Sequence, residues 1–258
     1  MSYFNIVSQS DESTVVTEYK PQMKRSENYQ SESELEREFI FMLKDLGYEY
    51  LPIHKENDLI NNLRKQLEKL NDYHFSDNEW TNFFREIIAN QKDSIVEKTR
   101  LIQENHVQVL KCDNGKSKNI MLIDKKNIYN NTVQVINQYA ISKDEGAIHN
   151  NRYDVTILVN GLPLIHIELK RRGIPIREAF NQINRYQCDS FWASSGLYEY
   201  VQIFVISNGT NTKYYSNTTR FNHIKNNNSY KVKKKKQVIV LNLHLFGQMQ
   251  IIVLFLIL

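Results

Sequence analysis

An Asn-Gly pair at 160–161 lies between two runs rich in β-branched and apolar residues, and it restricts the stretch RYDVTILVNGLPLIHIELK to a narrow set of shapes. Residues 153–159 and 162–169 have strand composition. Asn-Gly between such runs is a strong hairpin signal, because both residues tolerate the positive φ that a tight turn needs. Alternation along the second strand puts Leu164, His166, Glu168 and Lys170 on one face. Ile165, Ile167 and Leu169 take the other face, which is assigned to the core. The register decides whether Asp154 joins the polar set. A two-residue turn puts Asp154 opposite Ile167, on the core side. A three-residue loop with Gly161 left-handed in a bulge brings Asp154, Glu168 and Lys170 together, and this bulged form is expected. For these three residues alone, a surface hairpin with solvated charges is the plainer reading. Against it stands an acid set among apolar neighbours, with a lysine two residues on and a helix beyond that adds polar groups.

That helix is expected over residues 176–189. Ala179, Ile183 and Tyr186 form an apolar stripe at helical spacing, and Gln182 and Tyr186, four apart, are neighbours on one face. By themselves they also fit a surface glutamine beside a half-buried tyrosine.

Hairpin and helix together resemble the PD-(D/E)xK nuclease motif. They closely resemble the nuclease domain at the N-terminus of the R (restriction) subunit of type I restriction endonucleases. NRYDVTILVNGLPLIHIELK is similar to that family's hairpin with its NG-P turn, and EAFNQINRY to its QxxxY helix. The similarity extends over roughly residues 31–221, and the residue before Asp154 is tyrosine where the motif's name has proline. The resemblance implies an α/β fold, a restriction-endonuclease-like mixed β-sheet flanked by helices, with a helical insertion over 57–109. It implies a Mg²⁺-dependent DNA endonuclease of a restriction-modification system, with double-stranded DNA and the methyltransferase and specificity subunits as partners.

The chemistry can be argued from the residues. Phosphodiester hydrolysis needs a hard divalent cation, a deprotonated water and stabilisation of charge on the phosphate. Asp154 and Glu168 supply oxygen ligands, and Mg²⁺ typically takes one or two carboxylates plus water and phosphate oxygens. The Leu169 backbone carbonyl is placed to be a further ligand. Lys170 orients or deprotonates the water, or offsets charge on the phosphate, and the sequence leaves these roles open. By the resemblance, Gln182 and Tyr186 help to position DNA or the lysine, and one more acid sits on the first helix near the metal. Glu32 or Glu36 fits that place, and so does simple enrichment of acids at a helix N-terminus. Arg171, Arg172 and Lys213 are expected to contact DNA phosphates without reading sequence.

The rest of the chain adds limits. Its 258 residues suffice for one good-sized core with an appendage. The net charge of +4 is uneven, because residues 231–258 hold five lysines and no acid. The body is nearly neutral and gives no bulk argument for nucleic-acid binding. Two cysteines without a CxxC, and acids among the first 20 residues, point to a reducing cytoplasm with no signal peptide. Residues 1–30 read as a flexible arm with one extended piece near 14–19. A helix over 35–46 is capped by Ser31 or Ser33 and stopped by Gly47. Helices follow within 57–109, one of them capped by Asp77, and strands near 107–110, 120–123, 132–139, 201–207 and 213–216. Gly115-Lys116-Ser117 lacks the first glycine of a phosphate loop, since position 110 is leucine, so no ATP site is expected here. His149 stands alone in a polar loop, and no His/Cys group suggests zinc.

Residues 222–258 read as a lysine-rich linker and a hydrophobic tail. The last 21 residues carry no charge, a length that suits a membrane span, yet Asn242, His244, Gln248 and Gln250 interrupt it. Translation out of frame from about Lys233 is the favoured expectation, with a native hydrophobic end as the alternative, and a membrane association is not expected. The resemblance implies an ATP-driven motor beyond this domain, and none is expected within these residues. A second functional reading remains, an inactive or membrane-tethered interaction module on a nuclease-like scaffold.

Overall fold

A computed structural model describes residues 4–9, 15–19, 30–217 and 241–243. Strands β1 (Phe4–Gln9) and β2 (Val15–Tyr19) pair antiparallel in a sheet of their own. The stretch read as a flexible arm with one extended piece therefore holds two strands, each carrying β-branched residues that favour extended backbone.

Helix α1 (Glu32–Asp45) starts with a reciprocal cap. Ser31 Oγ accepts the Glu34 N–H at 3.2 Å, and Glu34 accepts the Ser31 N–H at 2.8 Å. Leu35, Phe39 and Leu43 form its buried stripe. Strand β3 (Glu49–Tyr50) leads to α2 (Glu56–Asn71), whose Leu59, Leu63 and Leu67 are wholly buried. Helix α3 (Asp77–Phe83) is capped by Ser76 with Glu79, not by Asp77, and runs on through a π-helical turn, Phe84–Ile88. The serine wins because the glutamate three residues into the helix completes a capping box with it. Helix α4 (Ile95–Gln103) has the same device in Ser94 and Glu97. Strands β4 (Val107–Lys111) and β5 (Ser117–Met121) form a separate hairpin.

The central sheet is completed by β6 (Val133–Ile141), β7 (Asn151–Val159), β8 (Leu162–Leu169), α5 (Ile176–Asp189), β9 (Ile203–Ser207), β10 (Thr212–Ser216) and β11 (Leu241–Leu243). Among the described residues its order is β11-β10-β9-β8-β7-β6-β3. Most neighbours are antiparallel, while β8 with β9 and β3 with β6 are parallel. The parallel step from β8 to β9 is bridged by α5, as a crossover requires. The result is the expected mixed α/β sheet flanked by helices.

The hairpin turn differs from expectation. Val159 pairs with Leu162, and Asn160 (φ 50°) and Gly161 (φ 84°) make a two-residue turn with both φ positive. The bulge lies further down, where Leu158 pairs with Pro163 but Ile157 pairs with Ile165, leaving Leu164 as the extra residue. Pro163 has no N–H for the ladder, and proline inside a sheet is tolerated at such irregularities. The turn is tight for its own reasons. The buried Asn160 side chain accepts the Thr132 N–H at 2.9 Å and donates to the Leu122 carbonyl at 3.0 Å. The shift at Leu164 sets Val155 against Ile167 and Thr156 against His166, so Asp154 comes level with Glu168. The convergence expected from a three-residue loop is achieved by a bulge within β8.

Register continues the Thr156–His166 row through Phe204 to Tyr215. Phe204 stacks on Phe191 at 6.0 Å, and Tyr215 meets Phe180 of α5 at 5.4 Å, so this face lies under α5 and the loop after it. Every residue of β8 is buried, so both of its faces are covered. The lysine run and most of the hydrophobic tail fall in residues 218–240 and 244–258, outside the described residues. No helix among the described residues is long and apolar enough to cross a membrane.

Candidate functional site

Pairing between β7 and β8 runs from Val159 back to Val155 and stops there. The Lys170 N–H points to β9, donating to the Ser207 carbonyl at 2.8 Å, so the preceding N–H of Leu169 is aimed at β7. Asp154 Oδ2 accepts it at 2.9 Å. A side chain thus takes the place of a strand carbonyl, and the two strands splay at the point where the acids gather. Glu168 is fully buried beside Asp154, within hydrogen-bonding reach of it. Lys170 Nζ lies 3.5 Å from Glu168 Oε1 and 3.8 Å from Glu32 Oε2. Glu32 Oε1 accepts the Arg171 N–H at 3.3 Å, which fastens the start of α1 to the end of β8.

Burial raises the pKa of Asp154 to about 7, and the neighbouring Glu168 charge adds to it, against the Leu169 N–H and Lys170. Burial likewise raises Glu168 to about 7, opposed by Lys170 and by the hydrogen bond with Asp154. One ammonium does not balance a fully buried carboxylate and its half-buried neighbour. Glu168 Oε2, moreover, is buried with no hydrogen-bond partner. His166, with Nε2 3.4 Å from that oxygen, is held to a pKa of about 4 by burial and stays neutral at physiological pH. An electron-rich pocket of hard oxygen donors fits a divalent cation of the Mg²⁺ kind. No group of three or more His, Cys, Asp or Glu side chains among the described residues is arranged to hold an ion. Two carboxylates and the Leu169 carbonyl, between Glu168 and Lys170, are what the site offers.

The two acids left open on α1 now have separate places. Glu32 meets Lys170, and its side chain is 47 % exposed. Glu36 is 8 % exposed, and its two oxygens accept the side-chain amides of Asn137 and Gln138 on β6. Burial raises the Glu36 pKa, and the charge of Asp154 adds to the effect. Gln138 reaches Glu36 from a positive φ of 53°, in the gap between the Asn137–Val155 and Tyr139–Tyr153 pairs. No sequence signal marked Asn137 or Gln138, since a left-handed glutamine within a strand is uncommon.

On α5, Gln182 Nε2 donates to Tyr186 Oη, and Tyr186 Oη donates to the Arg152 carbonyl at 2.8 Å. The glutamine–tyrosine pair expected to position DNA or the lysine is thus bonded to the β7 backbone. Arg171 and Arg172 are exposed just beyond β8. Lys213 pairs with Ile206, which pairs with Glu168, so it shares the face of Glu168 two strands away, about 10 Å off at ordinary strand spacing. Arg185, exposed 5.4 Å over the Tyr186 ring, was not singled out in the sequence, although it lies three residues from Gln182 on the helix. His149 is paired with Asp189 at 3.0 Å.

Residues 29–223 match the family model described as Type I restriction enzyme R protein N terminus. Over 215 residues the chain is 47% identical to the type I restriction enzyme EcoprrI endonuclease subunit of Escherichia coli, an alignment that covers 83% of this chain and 67% of that one. It is 39% identical over 194 residues to the type I restriction enzyme SauMSSORF170P endonuclease subunit of Staphylococcus aureus, covering 73% of this chain and 20% of the relative. A putative type I restriction enzyme MjaVIIIP endonuclease subunit of Methanocaldococcus jannaschii is 29% identical over 218 residues, again with 20% of the relative covered. The chain therefore spans about two thirds of the first of these relatives and a fifth of the other two. The match over residues 29–223 takes in α1, the splayed hairpin and α5, and this chain belongs to the type I restriction enzyme R protein N-terminal family.

Proposed function

We propose that Asp154, Glu168 and Lys170 form a Mg²⁺-dependent centre for DNA phosphodiester hydrolysis, acting in a type I restriction complex. The observation that carries this reading is a fully buried Glu168 beside a half-buried Asp154 that takes the Leu169 N–H, with one lysine 3.5 Å from Glu168 Oε1. Asp154, Glu168 and the Leu169 carbonyl would hold the cation, with Glu32 at its edge. When bound, a divalent cation supplies a water of lowered pKa and draws charge from a phosphoryl oxygen.

The remaining steps belong to the chain's own groups. Lys170, 11 % exposed in its side chain, orients or deprotonates the attacking water or offsets charge on the phosphate. Gln182 and Tyr186 keep the splayed end of β7 in place behind Asp154. Arg171, Arg172 and Lys213 take backbone phosphates of double-stranded DNA, which positions the strand without reading its sequence. Recognition is then left to the specificity subunit, and the methyltransferase subunit completes the complex in the cytoplasm. Residues 31–221 carry the nuclease function, and ATP plays no part in this chain.

A plasmid-nicking assay with Mg²⁺ and the partner subunits tests this. Wild type is expected to nick, and Asp154→Ala and Lys170→Ala to lose at least about 10²-fold in rate, the usual scale for a positioned acid–base group. Equal nicking by all three rejects the assignment.

A further inference from the structure

His166 is the buried titratable residue that this chemistry leaves unused. It is fully buried two residues before Glu168, with its ring edge-on to Tyr153, Phe191, Tyr186 and Tyr198 at 5.5, 5.7, 6.2 and 6.5 Å. A phenylalanine would fill this aromatic box without stranding two ring nitrogens. Neither nitrogen makes a hydrogen bond of full geometry, although the Val155 backbone lies close enough to act on the ring, and Glu168 Oε2 has no partner either. Two of these three orphaned atoms, His166 Nε2 and Glu168 Oε2, face each other at 3.4 Å. Buried polar atoms without partners are rare enough to call for an explanation. The separation exceeds a formed hydrogen bond by about 0.5 Å, a gap that a small rotation of either side chain closes.

We propose that His166 is a positioning residue for Glu168: its Nε2–H donates to Oε2 and turns Oε1 toward Lys170 and the cation. The proposal rests on the reading of Glu168 as a cation ligand. Lys170 already stands 3.5 Å from Oε1, so the two oxygens are addressed from opposite neighbours along the same strand. Fixing a ligand carboxylate through its second oxygen is a common way to raise affinity for a hard cation. The competing arrangement carries the ring proton on Nδ1 and turns a lone pair toward Oε2, which would repel the carboxylate rather than hold it.

The test uses the full chain and Mn²⁺ as the probe, with binding followed by electron paramagnetic resonance and the imidazole tautomer by ¹⁵N NMR in the metal-free and Mg²⁺ states. His166→Leu is expected to weaken Mn²⁺ binding about 10–100-fold, the range for loss of a group that orients a ligand. His166→Gln, whose amide nitrogen falls near the position of Nε2, is expected to restore most of it. The wild-type ring is expected to carry its proton on Nε2. Unchanged Mn²⁺ affinity in a folded His166→Leu chain, or no recovery in His166→Gln, overturns the proposal. So does a ring protonated on Nδ1, and this measurement decides the matter if the leucine variant does not fold. Asp154→Ala separates the two levels. If it weakens Mn²⁺ binding and His166→Leu does not, only the role of His166 falls. If Asp154→Ala leaves binding unchanged, the cation site falls and the role of His166 with it.

Discussion

Tyr186 Oη donates to the main-chain carbonyl of Arg152 at 2.8 Å, two residues from Asp154. This carbonyl belongs to the part of β7 that has parted from β8, so helix α5 holds the strand where the ladder no longer does. Gln182 in turn steadies the phenol, and the pair transmits the position of α5 to the first carboxylate of the site.

Tyr186→Phe keeps the ring that packs on Tyr153 and removes both bonds of its hydroxyl, to the Arg152 carbonyl and from Gln182. Stability should fall by about 1–2 kcal/mol, the net worth of two hydrogen bonds. Nicking by the reconstituted complex should fall about tenfold or more, because Asp154 is displaced. Chemical denaturation and the plasmid assay read the two effects separately. A variant that loses stability but nicks normally would show that the anchor serves the fold alone.

The raised carboxylates predict an unusual pH dependence. Asp154 and Glu168 bind protons more tightly in the folded chain than in the unfolded one, since burial lifts both to about 7. Between about pH 4 and pH 7 the folded state is therefore the more protonated, and metal-free stability should decline as pH rises through this window. Added Mg²⁺ should reverse the decline by binding the ionised pair. Melting curves from pH 4.5 to pH 8, with and without MgCl₂, check both signs. Asp154→Asn should melt higher than wild type at pH 8 without the cation and gain little from adding it.

Sequence periodicity could carry the hairpin, the helix after it and the meeting of Asp154, Glu168 and Lys170. It could not place the bulge. A bulge in the turn and a bulge at Leu164 shift the register in the same sense, and only the missing N–H of Pro163 hinted at the second. The side of β8 that holds Glu168 reads as polar, yet α5 returns over it after the chain has turned back, and alternation says nothing about what arrives later to cover a face. Glu36 was indistinguishable from Glu32 because its role depends on Gln138 at positive φ, a conformation that residue type does not announce.

Those two glutamates should separate on mutation. Glu36→Ala strands the amides of Asn137 and Gln138 and should cost about 1–3 kcal/mol of stability. Glu32→Ala removes a half-exposed group and should change stability by no more than about 0.5 kcal/mol, while weakening Mg²⁺-dependent nicking. Urea denaturation beside the nicking assay distinguishes them. Equal stability losses would mean that Glu36 is not the structural acid of the pair.

Two turn glycines give a matched contrast. A Cβ at Gly161 would stand 2.6 Å from Leu63 Cα, with φ at +84°, whereas a Cβ at Gly115, φ +77°, meets nothing within 4 Å. Gly115→Ala should cost about 1 kcal/mol, from backbone conformation alone. Gly161→Ala carries the same strain and also pushes α2 away from the hairpin, so a loss of about 3 kcal/mol or more is expected. Denaturant midpoints compare the two directly.

The main chain of Lys170 is held by the carbonyl of Ser207, on a strand that can dock only after α5 has crossed the sheet. A growing polypeptide that has emerged as far as the lysine still lacks the rail that aligns it. The acids, the lysine and the tyrosine anchor come into register together, late, once translation has passed Ser207. A chain cut short before Ser207 would accordingly leave Asp154, Glu168 and Lys170 without the strand that holds them in register.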